Sequence, residues 1–223
     1  MSKYVQVAID GPASAGKSTV AKILAKKMGY IYCDTGAMYR VVTLFALENN
    51  LSLDQPSELV KELDNLVMTF DYVDGLQHVY ANGIDVTNDI RMPDVTNHVS
   101  KVAAIKEIRE ELVNRQKAIS NSQNIVMDGR DIGTVVLPNA DLKIFLVASV
   151  KERAERRYKE NIEKGIMTSL DELQKEIEDR DYYDSHRKES PLVQASDAIK
   201  VDTTGLSIEE VVNVIENELK KVI

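Results

Sequence analysis

Apolar positions alternate between two rhythms along the chain. "YVQVAI" (4–9) is the dense apolar run of a buried strand, and "KSTVAKILAKKM" then places Val20, Ile23, Leu24 and Met28 on one helical face before Gly29 stops it. "YIYC" is a second short apolar run. "DTGAMYRVVTLFALENN" reads as a helix capped by Asp34 or Thr35 and ended by Asn49–Asn50, and "PSELVKELDNL" as a shorter one. The rhythm then changes. "VMTFDY", "LQHVYA" and "IDVT" are short β runs separated by Asp74–Gly75 and Asn82–Gly83, dipeptides that favour tight hairpins. An antiparallel patch is out of place in an alternating α/β chain, so it reads as an insertion, set here at residues 60–102.

Beyond the insertion "NHVSKVAAIKEIREELVNRQKAI" (97–119) is helical, "NIVMD" is a buried strand entering "GRDIGTVVLP", and "LKIFLVA" is the next strand. "VKERAERRYKENIEKG" and "SLDELQKEIEDRDYYDSHR" are long charged helices. "AIKVD" is a last short strand and "SIEEVVNVIENELKKV" a closing amphipathic helix. The alternation predicts an α/β fold: a parallel sheet with helices on both faces, carrying the inserted antiparallel patch. Ligands belong beyond the carboxyl ends of such strands.

Length and charge narrow the chemistry. The 223 residues suit one domain with insertions, and 43% hydrophobic residues are enough for a sizeable core. A net charge of −8 and a pI near 5.0 argue against general binding to nucleic acid polymers or anionic membranes. Any phosphate site must therefore be a local concentration of positive charge. Cys33 is the single cysteine, which excludes an internal disulfide and fits a reducing cytoplasm. The first residues lack the apolar stretch of a signal peptide, and "IFLVASV" is too short to span a bilayer. No exposed apolar stripe stands out, so a monomer is expected.

"GPASAGKST" supplies the first local site. Gly11, Pro12, Ala13, Ser14, Ala15, Gly16, Lys17 and Ser18 satisfy G-x-x-x-x-G-K-[ST] between a strand and a helix, and Thr19 follows. Gly11 and Gly16 allow torsions and close approach that a side chain would block. The loop N–H groups then form an anion nest at the positive end of a helix dipole. Lys17 reaches the β- and γ-phosphates, and the Ser18 hydroxyl suits Mg²⁺. "IVMD" resembles a Walker B strand, so Asp128 is a candidate to organise Mg²⁺ directly or through water. This motif indicates a nucleoside triphosphate but not the reaction.

Arginine placement narrows the reaction. Eight of the ten arginines fall in short clusters: Arg40, Arg109, Arg130, and the group Arg153, Arg156, Arg157, Arg180 and Arg187. Guanidinium forks match phosphate oxygens in bidentate fashion, whereas the lysines are scattered as on solvated faces. Ordinary i,i+4 ion pairs would explain "KERAERRYKE" equally well; they explain "MDGRDIG", at the end of a buried strand, less readily.

Together "IDGPASAGKST", "DTGAMYR", "MDGRDIGTVVLPNADLKIFL", "ERAERR" and "RDYYDSHRKESPL" resemble the bacterial cytidylate kinases among the nucleoside monophosphate kinases, across essentially the whole chain. The resemblance implies an α/β core of the P-loop NTPase type, ATP and CMP or dCMP as substrates, a monophosphate-binding insertion and a mobile helical lid at 151–167. By motif position it implies that Thr35, Tyr39 and Arg40 line the acceptor site, and that Ser100, Arg109 and Asp131 contact cytosine. Arg130 and Arg187 would hold the acceptor phosphate, and Arg180 and Asp184 the ribose. Arg153, Arg156 and Arg157 would close on the triphosphate. Lys17, Arg130, Arg157 and Arg187 are then the catalytic set. Thr35 stands where some members carry serine, which keeps the hydroxyl. Other acceptors for a P-loop kinase (UMP, AMP, dephospho-CoA, shikimate) and a non-catalytic nucleotide-binding module remain as alternatives. The absence of N-K-x-D counts against a GTP-dependent switch.

Overall fold

The computed structural model describes residues 4–73, 76–163 and 165–223, so the Asp74–Gly75 dipeptide lies outside the described residues. The chain divides into two compact units, one formed by residues 1–34 and 116–223 and the other by residues 35–115.

The first unit is built on a five-stranded parallel sheet in the order β2-β6-β1-β7-β8. The strands are β1 (Gln6–Asp10), β2 (Ile31–Asp34), β6 (Ile125–Gly129), β7 (Leu142–Val147) and β8 (Ile199–Asp202). Every residue of β1 and β6 is buried, as expected for central strands covered on both faces. Val7, Ile9, Val126, Ile144 and Leu146 pack against Val20 and Leu24 of α1 (Lys17–Met28) and Val212 and Ile215 of α8 (Ile208–Leu219). Ala8, Ile125 and Met127 point the other way and are equally inaccessible. At the edge only Val201 of β8 is buried. The parallel register brings the strand ends to one rim, with Asp10 opposite Gly129, Asp34 opposite Asp128 and Val147 opposite Asp202.

Helices α6 (Val150–Glu163) and α7 (Leu170–His186) pack through Ala154, Leu173 and Ile177. Reciprocal capping boxes, Ser169 with Glu172 and Ser207 with Glu210, start α7 and α8 and satisfy N–H groups that would otherwise be orphaned.

The second unit has its own core. It contains α2 (Thr35–Glu48), α3 (Ser57–Glu62), the antiparallel strands β3 (Met68–Val73), β4 (Leu76–Ala81) and β5 (Ile84–Asp85), and α4 (Pro93–Val102). Helix α5 (Lys106–Ser120) leaves it at Arg115. Asn82 (φ 50°) and Gly83 (φ 82°) are both left-handed, which gives the β4–β5 hairpin its tight turn. One expectation fails here. The run 97–119 is not a single helix: α4 ends at Val102 and α5 begins at Lys106. The break is held by Arg109, whose Nη1 donates to the Ala103 carbonyl at 2.9 Å. Nothing in the helix-compatible letters "AAI" announces that tie.

Candidate active site

The phosphate loop begins where β1 ends. Gly11 takes φ 148° and lies so close to β7 that a Cβ there would fall 2.2 Å from the Leu146 carbonyl oxygen. The loop is thus pressed onto the sheet by a backbone contact that only glycine tolerates. Ala13 and Ala15 are buried; Pro12, Ser14, Gly16 and Ser18 are half-buried, and Thr19 is exposed. Lys17 opens α1, is almost wholly buried, and donates from Nζ to the Pro12 carbonyl at 2.6 Å, closing the loop on itself. Burial drives its pKa well below the ordinary lysine value, helped by the positive charges of Arg130 and Arg180 and opposed by Asp128 and Asp10.

Asp128 sits beside the loop at the end of β6. Its Oδ2 accepts from the Ser18 hydroxyl and its Oδ1 from the Tyr32 hydroxyl, both at 2.8 Å. Burial and the neighbouring Asp34 charge raise its pKa, while Lys17 and the two hydroxyls act the other way. Two buried carboxylates side by side with a serine hydroxyl form an all-oxygen set. That chemistry fits a hard divalent cation rather than a thiophilic one.

The guanidinium cluster is organised by Asp184 on α7, buried at 3% exposure. Arg130 Nε donates to its Oδ2 at 3.0 Å; Arg187 Nη1 lies 3.9 Å from Oδ1 and Arg180 Nε 4.0 Å from Oδ2. Burial alone would raise the Asp184 pKa, but the three guanidiniums outweigh it and hold the carboxyl below its ordinary 3.8. Arg187 also donates from Nε to the Ser190 carbonyl, and the Asp184 carbonyl accepts from Leu192 N–H. Two arginines close in sequence to Asp184 and one 54 residues away therefore share one anchor, and Arg130 and Arg180 are felt electrostatically at Lys17. Asp131, also buried, stands at the entrance to a one-turn π segment, Ile132–Val136, whose Val135 and Val136 N–H groups donate to its carbonyl.

The three arginines of α6 differ in their surroundings. Arg153 is buried, donating to the Ala148 carbonyl at 3.0 Å and to the phosphate-loop carbonyl of Ala13 at 3.0 Å, and pairing with Asp181 at 2.6 Å. Arg156 reaches Thr203, its Nη1 bonding the hydroxyl at 3.1 Å and its Nη2 the carbonyl at 3.0 Å, and pairs with Glu152. It also approaches Gly16, where an added Cβ would lie 3.8 Å from its Nη1. Arg157 faces Glu160 at 3.6 Å, one turn along the helix.

In the second unit, Thr35 and Tyr39 are buried on α2 and Arg40 is half-buried beside them. Arg109 is buried on α5 with its guanidinium 5.3 Å from the Tyr39 ring centroid, a cation–π distance. Ser100 is half-buried on α4.

A sequence model of the family described as cytidylate kinase matches residues 7–221. The chain belongs to the cytidylate kinase family. A cytidylate kinase of Ligilactobacillus salivarius (strain UCC118) is 61% identical over 221 residues, covering 99% of both chains. One from Streptococcus gordonii is 58% identical over 222 residues, again covering 99% of each. Among solved structures, an uncharacterized protein from Eubacterium ventriosum superimposes with a TM-score of 0.54 at 12% identity, covering 98% of this chain and 99% of that one, a likeness of fold alone. Among the described residues, no helix is long and apolar enough to cross a membrane.

Within this cytidylate kinase chain, the sequence reading missed several residues that shape the site. Tyr32 holds Asp128, Asp181 holds Arg153 and Thr203 receives Arg156. Each lies far along the chain from its partner or inside an apolar run, so no local pattern marks it. The i,i+4 and i,i+3 spacing of Arg180, Asp184 and Arg187 at the end of α7 is the local signal that could have shown their link.

Proposed function

We propose that the protein transfers the γ-phosphoryl group of ATP to CMP or dCMP, giving ADP and CDP or dCDP, as a cytoplasmic monomer acting on free nucleotides. The observation that carries this reading is the gathering of Arg130, Arg180 and Arg187 on buried Asp184, with Arg130 and Arg180 near enough to the phosphate loop to add to the burial that lowers the Lys17 pKa. The reaction must bring two polyanions into line. Fixed positive charge in a water-poor site lowers that barrier without reorganising at the moment of transfer.

No general base is required, because the second pKa of a phosphomonoester is about 6 and the attacking oxygen is largely ionised at neutral pH. This agrees with the surroundings of the histidines: His78 pairs with exposed Asp85, and His98 and His186 bond backbone carbonyls one turn away. The loop residues 11–19 cradle the triphosphate, with Lys17 on its terminal phosphates. Arg130 and Arg187 hold the acceptor phosphate, and Arg180 and Asp184 the ribose. Arg156 and Arg157, on the lid we assign to 151–167, close on the donor; Lys164 of that span lies outside the described residues. Arg153, of the same set, closes on the donor from the rim of the loop, where it bonds the Ala13 carbonyl. Thr35, Tyr39, Arg40, Ser100 and Arg109 keep the acceptor roles that their motif positions assign. Ser18 and Asp128 would hold Mg²⁺, Asp128 directly or through water, and the ion would neutralise charge between the β- and γ-phosphates.

Asp131 is assigned to the base. Cytosine offers an N4 amino donor where uracil offers an O4 acceptor, so a carboxylate favours the first and opposes the second by about 1–3 kcal/mol. A coupled ADP-release assay across CMP, dCMP, UMP, AMP and GMP tests the reading, with CMP and dCMP expected as the preferred acceptors. Asp131→Ala is expected to shrink the CMP/UMP ratio of kcat/KM. An unchanged ratio removes Asp131 from base selection, and turnover of none of the five removes the kinase reading.

A further inference from the structure

Asp10 has no role in the scheme above, yet it occupies an expensive position. It ends the central strand β1, one residue before the phosphate loop, and is 4% exposed. Its Oδ1 accepts the Ile132 N–H at 2.8 Å and its Oδ2 the Gly133 N–H at 2.7 Å. These are the first two residues of the π segment Ile132–Val136. The leading N–H groups of any helical turn lack partners within the turn and must find them outside. The residue preceding this turn, Asp131, makes no side-chain cap bond to it. The cap instead comes from a strand 122 residues away in sequence.

The fit around this carboxylate is close. A Cβ at Gly133 would lie 3.4 Å from Asp10 Oδ2 and 3.2 Å from the Lys143 side-chain stem, so little space remains for the turn to shift. Burial lifts the Asp10 pKa from 3.8 to about 6; the two N–H bonds oppose the rise and the nearby Asp131 charge adds to it. The two carboxylate oxygens thus hold the two leading N–H groups of the turn, while the later N–H groups of Val135 and Val136 bond the Asp131 carbonyl.

The capped turn directly follows Arg130 and Asp131. We propose that Asp10 is a positioning residue: by capping the turn at Ile132 and Gly133 it aims Arg130 and Asp131 at the acceptor nucleotide. The selectivity part of this proposal rests on the reading of Asp131 as the cytosine-facing group.

The test compares Asp10→Ala and the isosteric Asp10→Asn in the full chain with Asp131→Ala. The readouts are KM for CMP and for ATP, kcat, the CMP/UMP ratio, and amide hydrogen exchange at residues 132 and 133. A contact displaced from its reacting geometry costs up to about a hundredfold. For Asp10→Ala we expect about a tenfold higher KM for CMP, a lower CMP/UMP ratio, little change in the KM for ATP, and faster exchange at both amides. Asp10→Asn, with one accepting oxygen left, is expected to fall between Asp10→Ala and the unsubstituted protein, and it decides the matter if the alanine variant does not fold. An unchanged KM for CMP, equal losses for CMP and ATP, or unchanged exchange at both amides overturns the proposal. So does an intact CMP/UMP ratio in the Asp10 variants while Asp131→Ala abolishes it. If Asp131→Ala itself leaves the ratio intact, the cytosine reading falls alone. Raised KM for CMP with faster exchange then still supports positioning through Arg130.

Discussion

Replacing Asp184 by asparagine keeps the shape of the side chain and removes the charge on which three guanidiniums converge. Arg130 is bonded to it directly at 3.0 Å, and Arg187 and Arg180 stand at 3.9 and 4.0 Å. The Asp184 side chain is only 4% exposed, so solvent screens little of the loss. Breaking a buried ion pair by neutralising one member costs about 3–5 kcal/mol, because the partner charges stay behind. With one direct bond and two longer contacts, a loss of about 3–4 kcal/mol is expected, a large share of the ~5–15 kcal/mol that stabilises ordinary domains. The measurement is urea denaturation of both proteins at neutral pH without nucleotide, followed by circular dichroism. The pH dependence gives a second check. The folded-state pKa of Asp184 lies below its ordinary 3.8, so its stabilisation is complete above the unfolded value and disappears as pH falls through the folded one. The difference between the two proteins should hold steady from neutral pH into weak acid and close below 3.8. A difference under about 1 kcal/mol at neutral pH, the range of a solvated surface pair, would refute the idea of a buried anionic hub.

Lys17→Ala is expected to lower kcat by at least about a hundredfold, the scale of losing one transition-state charge contact, while CMP binding by calorimetry stays nearly intact. Loss of CMP binding with normal turnover contradicts the role given to Lys17. Gly11→Ala places a methyl group 2.2 Å from the Leu146 carbonyl oxygen at a φ of 148°, and should destabilise the protein by about 1–3 kcal/mol or more in thermal or urea unfolding. Unchanged stability there would mean that the loop is not seated on β7.

Much of the fold was legible because its signals are local. The apolar runs of β1, β6 and β7, the phosphate loop and the Asn82–Gly83 turn each depend on residues a few positions apart. What escaped is non-local. The break between α4 and α5 is fixed by a guanidinium reaching back to Ala103, and its letters are compatible with helix. Nothing local marks Asp10, because its partners are supplied by a turn that exists only once β1 and β6 lie side by side. Asp128 was legible as an acid after an apolar strand. That Tyr32 and Ser18 divide its two oxygens between them depends on the register of β2 against β6 and on the seating of α1 beside β6, which no local pattern encodes.

The path of the chain between the two units bears on how the protein is made. Residues 35–115 are contiguous and carry their own core, whereas the unit that holds the phosphate loop is interrupted by them. Both neighbours of β1 in the sheet, β6 and β7, begin only at Ile125 and Leu142. On a ribosome the first 34 residues therefore emerge early and wait without a strand partner while the whole intervening unit is translated. Domains generally fold as units during synthesis, so the later-encoded unit is complete first. The nucleotide cradle, although it precedes the other motifs along the chain, is therefore expected to be among the last parts of the molecule to be assembled.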